Sequence, residues 1–220
     1  MQKFDTPTPI AAVFDVPAGR VQVIAAIRTD TVVEVLPMNP AKNRDVKIAE
    51  QASVEYADGV LRIGIPVKNQ YFGSSGSVEV TVRLPAGSRV EGKAAATELR
   101  GVGRLGEVVF DGAYRRIKID EATGVRLDAV DGTVEIGRLG GSAEITTTRG
   151  DIRIAEALGG TVTLRTQQGD ISVGAARGVS ASLDAGTAYG RVANDLRNDG
   201  TATLDIHATT TKGDITARSL

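Results

Sequence analysis

From Gly132 onward the chain alternates apolar and polar residues in short runs, each opened by a glycine turn. The runs begin Gly132-Thr133-Val134-Glu135-Ile136, Gly150-Asp151-Ile152-Arg153-Ile154, Gly169-Asp170-Ile171-Ser172-Val173, Gly190-Arg191-Val192 and Gly213-Asp214-Ile215, with glycines 18, 19, 21 and 23 residues apart. Period-two alternation marks a strand with one buried face. A strand repeat of about 20 residues marks stacked coils, which predicts a β-solenoid. A second run follows in each repeat, as in Gly141-Ser142-Ala143-Glu144-Ile145 and Gly160-Thr161-Val162-Thr163-Leu164, so each coil holds two strands. The alternation places Val134, Ile136, Ala143, Ile145, Ile152, Ile154, Val162, Leu164, Ile171, Val173, Ala181, Leu183, Val192, Ala202, Leu204, Ile206 and Ile215 inside. Glu135, Glu144, Arg153 and Arg165 then face solvent. Ile117 and Ile119 with Val125 and Leu127 form an earlier coil, and Val108 and Phe110 belong to the one before it. The expected stack is roughly five to six coils, about 25–30 Å long at ~4.8 Å per coil.

Proline and glycine divide the chain. All seven prolines precede residue 86, and 20 of the 26 glycines follow residue 88. Proline lacks the N–H that a strand bonded on both sides must donate. Residues 1–87 therefore read as an N-terminal antiparallel β module and residues 88–220 as the solenoid. Alternation predicts strands at Ile10–Val16, Arg20–Ile27, Thr31–Leu36, Ala52–Tyr56, Val60–Ile65 and Ser77–Leu84. Asp58-Gly59 is a hairpin turn signal. One helix is expected over Asn43–Gln51, with Asn43 as N-cap and Asp45 in its first turn.

Charge and composition narrow the function classes. The 26 basic and 27 acidic residues of the 220 are interspersed and give a net charge of -1. No basic patch points to nucleic acid or anionic lipid. Cysteine is absent, which removes disulfides, thiolate zinc sites and thiol catalysis. No stretch approaches a membrane span. The opening Met1-Gln2-Lys3-Phe4-Asp5 lacks a signal-peptide pattern, so a cytoplasmic location is expected. Aromatic residues are 4% and tryptophan is absent, so small β-branched residues and alanine must fill the core.

The repeated Gly-Asp-Ile and the tail Thr209-Thr210-Thr211-Lys212-Gly213-Asp214-Ile215-Thr216 resemble a bacterial family of β-strand-repeat domains of unknown function, known as putative adhesins. The compact cytoplasmic type common in actinobacteria is the nearest likeness. Phe4-Asp5-Thr6-Pro7, Arg28-Thr29-Asp30-Thr31-Val32-Val33-Glu34-Val35, Ala49-Glu50-Gln51, Leu84-Pro85-Ala86-Gly87-Ser88, Gly103-Arg104-Leu105-Gly106-Glu107 and Asn194-Asp195-Leu196 extend the likeness over nearly the whole chain. It implies an N-terminal β module leading into a solenoid, and it brings no catalytic residues.

Candidate chemistry is sparse. Gly101-Val102-Gly103-Arg104-Leu105-Gly106 matches a dinucleotide motif, but that site needs a helix to follow. Glu107-Val108-Val109-Phe110 reads as strand, so a solenoid corner is expected and no cofactor. Asp151, Asp170 and Asp214 recur after glycine, one carboxylate per corner. Calcium takes six to eight oxygens, so each Asp is expected to cap its own turn and no metal is assigned. His207, the single histidine, should face outward beside Asp205, with no nucleophile elbow in the chain. A glycan-binding or polysaccharide-cleaving β-helix protein is the alternative function. It would need outward carboxyls about 5–9.5 Å apart, drawn from Glu135, Glu144 and Asp184 among residues interleaved with arginines such as Arg153. Threonines Thr146, Thr147, Thr148, Thr161, Thr163, Thr166, Thr201, Thr203, Thr209, Thr210 and Thr211 read as good strand formers on outer and corner sites.

The expected function is a non-enzymatic scaffold or interaction module. A solenoid's last coil has unpaired backbone groups that invite pairing. The C-terminal edge, carrying Asp214, Ile215 and Arg218, is therefore assigned to self-association or to an unknown protein partner. Tyr71 and Phe72, in a Gly/Ser loop, either anchor a partner or cover the junction between the halves. Tyr114 and Tyr189 are the remaining aromatic outliers.

Overall fold

The computed structural model describes residues 1–66, 76–113 and 116–220. Tyr71, Phe72 and Tyr114 lie outside the described residues. In chain order the first elements are β1 (Gln2–Asp5), β2 (Ala11–Asp15), β3 (Ala18–Ala26), β4 (Asp30–Pro37), α1 (Asn43–Glu50), β5 (Ser53–Ala57), β6 (Val60–Gly64) and β7 (Val78–Pro85). There follow β8 (Arg89–Lys93), β9 (Ala96–Ala113), β10 (Ile117–Asp131), β11 (Val134–Leu139), β12 (Ala143–Arg149) and β13 (Ile152–Ala157). The last are β14 (Gly160–Gln168), β15 (Ile171–Ala175), β16 (Ala181–Tyr189), β17 (Val192–Asp195), β18 (Leu204–Lys212) and β19 (Ile215–Ser219). No helix among the described residues is long and apolar enough to cross a membrane.

The fold is an all-β solenoid of two-strand coils. One face stacks β6, β2, β8, the second half of β9, the second half of β10, β12, β14, β18 and β16 in that spatial order. The opposite face stacks β7, β3, the first halves of β9 and β10, then β11, β13, β15, β19 and β17. All of these neighbours are parallel. Matching residues superpose into apolar ranks. One rank runs Leu61, Ala12, Val90, Val108, Val125, Ala143, Val162, Ile206, Leu183. Across the core another runs Val80, Val21, Leu99, Ile117, Val134, Ile152, Ile171, Ile215, Val192. The two ranks interlock as one hydrophobic column, which is the core that low aromatic content calls for.

Seven coils follow residue 88 rather than five or six, because β9 and β10 each turn the corner as one continuous strand and serve two coils. Residues 1–87 also depart from the expected antiparallel module. The pairs β1–β4, β4–β7 and β5–β6 are antiparallel, but β2 and β3 are parallel to both of their neighbours. The prolines permit this because Pro17, Pro37 and Pro85 sit at strand ends or between strands, where no ladder N–H is needed. Coils thus begin with β2, and the antiparallel strands cover their outer end. There the Phe4 and Tyr56 rings meet at 5.5 Å across the two faces.

Helix α1 starts one residue differently from expectation. Lys42 is at the N-cap position without a side-chain hydrogen bond, and Asn43 is the first helical residue. Asp45 is buried, and its carboxylate accepts the backbone N–H groups of Asn39 and Ser77. It ties the segment before the helix to the start of β7.

Coil order in space differs from coil order in sequence at both ends. The first coil, β2/β3, lies between β6/β7 and β8/β9. The last coil, β18/β19, lies between β14/β15 and β16/β17. Connection lengths reflect this. Two residues join β13 to β14, but five join β15 to β16 and eight join β17 to β18, since the chain must step two coils out and then one back.

Side-chain chemistry accounts for the choice. The inward residues of β18/β19 are Leu204, Ile206, Ala208, Thr210, Ile215 and Ala217, all buried. The coil β16/β17 offers Leu183, Ala185, Val192 and, in register with Ala217, Asn194. An interior position would bury the Asn194 amide beside apolar neighbours, at a cost of about 1–3 kcal/mol without a partner. At the end of the stack Asn194 is exposed, and its Oδ1 accepts the Leu196 N–H at 3.1 Å. Leu183 and Ala202, expected inside, are half-buried; Val192, also expected inside, is 46% exposed because nothing described covers the terminal coil.

Candidate functional site: the edge of the terminal coil

The corners that hold the terminal coil are built from a three-residue phrase. Gly132, Gly150, Gly169 and Gly213 take φ between 130° and 150°, a region open to glycine. Contrary to expectation, the Asp after each later glycine accepts not from its own turn but from the neighbouring coil. The Asp170 N–H donates to Asp151 Oδ1 at 2.8 Å, the Asp214 N–H to Asp170 Oδ1 at 2.7 Å, and the Arg191 N–H to Asp214 Oδ1 at 2.9 Å. Parallel stacking makes this inevitable, since the nearest free N–H to each carboxylate lies one coil above. Inside the same corner a threonine ladder runs alongside. Thr166, Thr210 and Thr187 donate their hydroxyls to the carbonyls of Gly150, Gly169 and Gly213 at 3.2, 3.1 and 3.0 Å. Thr147, Thr166 and Thr210 are buried, so these threonines are interior corner posts rather than surface strand formers.

Both ladders stop at the terminal coil, where Arg191 replaces the Asp. Among the described residues no strand pairs with the outer side of β16 or β17. The nine residues of β16, Ala-Ser-Leu-Asp-Ala-Gly-Thr-Ala-Tyr, contain no proline or lysine to blunt the edge. Leu183 is half-covered beside it, and Tyr189 and Val192 are 74% and 46% exposed. Apart from the Ala181 N–H, which donates to the Arg197 carbonyl at 2.9 Å, the outer backbone groups of β16 face no partner strand among the described residues, the arrangement that accepts an added strand. The connection after β17 is polar, bonds within its own turns and is anchored on Ser180, Ala181 and Ser219. The Ser180 hydroxyl and then the Thr201 N–H hold the Asp199 carboxyl below its ordinary value.

The C-terminal strand is not that edge. β19 is paired by β15 on one side and β17 on the other. Ile215 is buried, Asp214 is occupied at the Arg191 corner, and Arg218 stands in register between Gly174 and Asp195. Sequence order hid the true edge. Its signals were present in Arg191 where an Asp recurs, and in Asn194 where an apolar residue recurs.

The other candidates are dispersed. Gly101, Gly103 and Gly106 lie within β9 at a corner, and a side chain at Gly103 would strike the Ala25 carbonyl. Glu135 and Arg153 share one face and Glu144 and Asp184 the other. Glu135 is held by Arg116 at 2.7 and 2.8 Å, which lowers its pKa. Glu144 pairs with Arg126 at 3.0 Å in an open groove of about 670 Å³ that also holds Glu107, Thr163 and Arg165. Glu144 and Asp184 share a rank but stand three strands apart, roughly 14 Å at strand spacing, beyond the separation of a glycosidase pair. His207 is exposed, with Nδ1 3.4 Å from Asp184 Oδ2, while Asp205 accepts the Ser182 hydroxyl at 2.7 Å. No cluster of His, Cys, Asp and Glu suited to a metal is present among the described residues.

Comparison with known proteins agrees with this architecture. A solved structure of a putative adhesin from Bacteroides fragilis is similar, at 15% identity over 100% of this chain and 95% of that one, with a TM-score of 0.56. A putative adhesin from Parabacteroides merdae matches at 11% identity over 100% and 95%, with a TM-score of 0.44. No curated protein matches the sequence. The family model described as Toastrack DUF4097 matches residues 68–219. With that match spanning most of the chain, the protein belongs to the Toastrack DUF4097 family.

Proposed function

We propose that this chain is a non-enzymatic scaffold module that self-associates through the open edge of its terminal coil, β16/β17. The observation that carries the reading is the outer side of β16, which faces no partner strand among the described residues and carries Asp184 as its single charged residue. The opposite end of the stack is covered by antiparallel strands, so the two ends are chemically unlike, and among the described residues only the β16/β17 end leaves the parallel coil strands themselves uncovered. No carboxyl pair at glycosidase spacing among Glu135, Glu144 and Asp184 supports the polysaccharide-cleaving alternative.

Light scattering coupled to size exclusion tests it. The full chain should show a dimer that grows with concentration. The double substitution Gly186→Lys and Ala188→Lys places charge along the edge without touching the core, and it should return the protein to monomer. A parent chain that stays monomeric at every concentration overturns the reading.

A further inference from the structure

We propose that the last coil, β18/β19, is an exchangeable element: in the dimer, each copy's Leu204–Ser219 fills the gap between β14/β15 and β16/β17 of the other. This rests on the self-association proposed above and specifies its form.

Four observations point to exchange. Both strands of the segment are paired on both sides. Among the described residues the strands of the terminal coil pair with the stack only through it, because β16 pairs with β18 and β17 with β19. Besides the covalent link from β15 to β16, the insert is therefore the one strand-to-strand tie between β16/β17 and the column among the described residues. Third, β16/β17 precedes the insert in sequence, so the gap must be filled by a segment arriving later, and a second copy supplies an identical one. Exchange of an identical element reuses the contacts that the segment makes within one copy and costs little.

The fourth is the hinge. Residues 196–203 form an eight-residue connection, the longest between consecutive strands from β8 onward among the described residues. Its two turns are local, with Asn198 Oδ1 accepting the Gly200 N–H and Asp199 Oδ1 the Thr201 N–H, and a few single hydrogen bonds, to Ser180, Ala181 and Ser219, hold it on the terminal coils. Extended, eight residues reach roughly 26 Å. When two terminal coils meet edge to edge, the partner's gap lies about two coil spacings away, ~10 Å. The hinge spans that distance with length to spare.

The absence of cysteine makes the test clean. Ser172 on β15 and Thr216 on β19 are register partners on the outer surface, at parallel-strand spacing, which suits a disulfide. The double variant S172C/T216C, oxidised as a monomer, should close within one chain and confirms the geometry. The single variants S172C and T216C are then unfolded together, refolded at high concentration and oxidised. Exchange predicts a covalent product of twice the 22.9 kDa chain mass in the mixture and in neither variant alone. A non-covalent dimer by light scattering with no such product overturns exchange and leaves edge docking standing. Monomer with no product overturns both.

Discussion

The Asp214 carboxylate accepts the Arg191 backbone N–H at 2.9 Å, so the last coil in the sequence fastens the corner of the coil written before it. The same bond recurs down the corner from Asp151 to Asp170 to Asp214. It acts as a stitch between coils that the backbone ladders of the faces do not supply.

Removing a stitch should have a modest and specific cost. Asp170→Ala leaves the Asp214 N–H without its 2.7 Å acceptor and is expected to destabilise by about 1–2 kcal/mol. Asp170→Asn keeps an oxygen there and should recover most of the loss. Urea midpoints of the three proteins check this, and equal losses for Ala and Asn would show that the hydrogen bond is not the cause.

Glycines of the corner and of the edge should behave oppositely. At Gly169 φ is 150°, and an added Cβ would press on the Gly150 carbonyl. Gly169→Ala is expected to cost more than 2 kcal/mol or to prevent folding. At Gly186 a Cβ meets nothing within 4 Å, so Gly186→Ala should be neutral or stabilising by up to ~1 kcal/mol. Thermal melts of the pair are sufficient.

Ile215 and Val192 are register partners in one apolar rank but differ in cover. Ile215 lies between Ile171 and Val192 and is 1% exposed, against 46% for Val192. Ile215→Ala should cost about 2–5 kcal/mol and Val192→Ala about 0.5 kcal/mol or less. Amide exchange should follow the same order, with β18 and β19 protected longer than the outer side of β16 and β17. Similar costs for the two substitutions would contradict the spatial order of the coils.

Glu135 supplies a pH signature. Its folded pKa lies below the ordinary 4.5, chiefly through the Arg116 hydrogen bonds. The unfolded chain then binds the proton more readily. This contribution to stability is complete above pH 4.5 and is lost as pH falls through the lower folded value. Glu135→Gln should be less stable than the parent at pH 7 by under about 1 kcal/mol, as for a partly exposed pair. The difference should close as the pH is taken below 4.5. A gap that stays constant down to pH 2 would refute the assignment.

Much of this was legible from residue order. The strands near Ile10–Val16, Arg20–Ile27 and Val60–Ile65 matched to within a residue or two, because alternation reports a one-sided core directly. β1 was missed, since Phe4 is the one half-buried residue of Gln2–Asp5, too few to show alternation, and the strand pairs only with β4 among the described residues. The Asp ladder was seen as a repeat, but its partners were placed one coil too near. A local cap and a stitch between coils use the same residue at the same spacing, and only parallel stacking distinguishes them.

The sequence by itself determined that the protein is a solenoid and which side of each strand is apolar. Those properties follow from periods of two and about twenty residues, and neighbouring positions suffice to express them. The order of the coils was decided only in three dimensions. Any coil of matching register can pair with any other, so the arrangement is chosen by comparing whole coils. The one carrying Asn194 and Arg191 is driven to the end, and the one carrying Ile206 and Ile215 is drawn inside. That choice moves the open edge from Asp214, Ile215 and Arg218 to Leu183, Tyr189 and Val192.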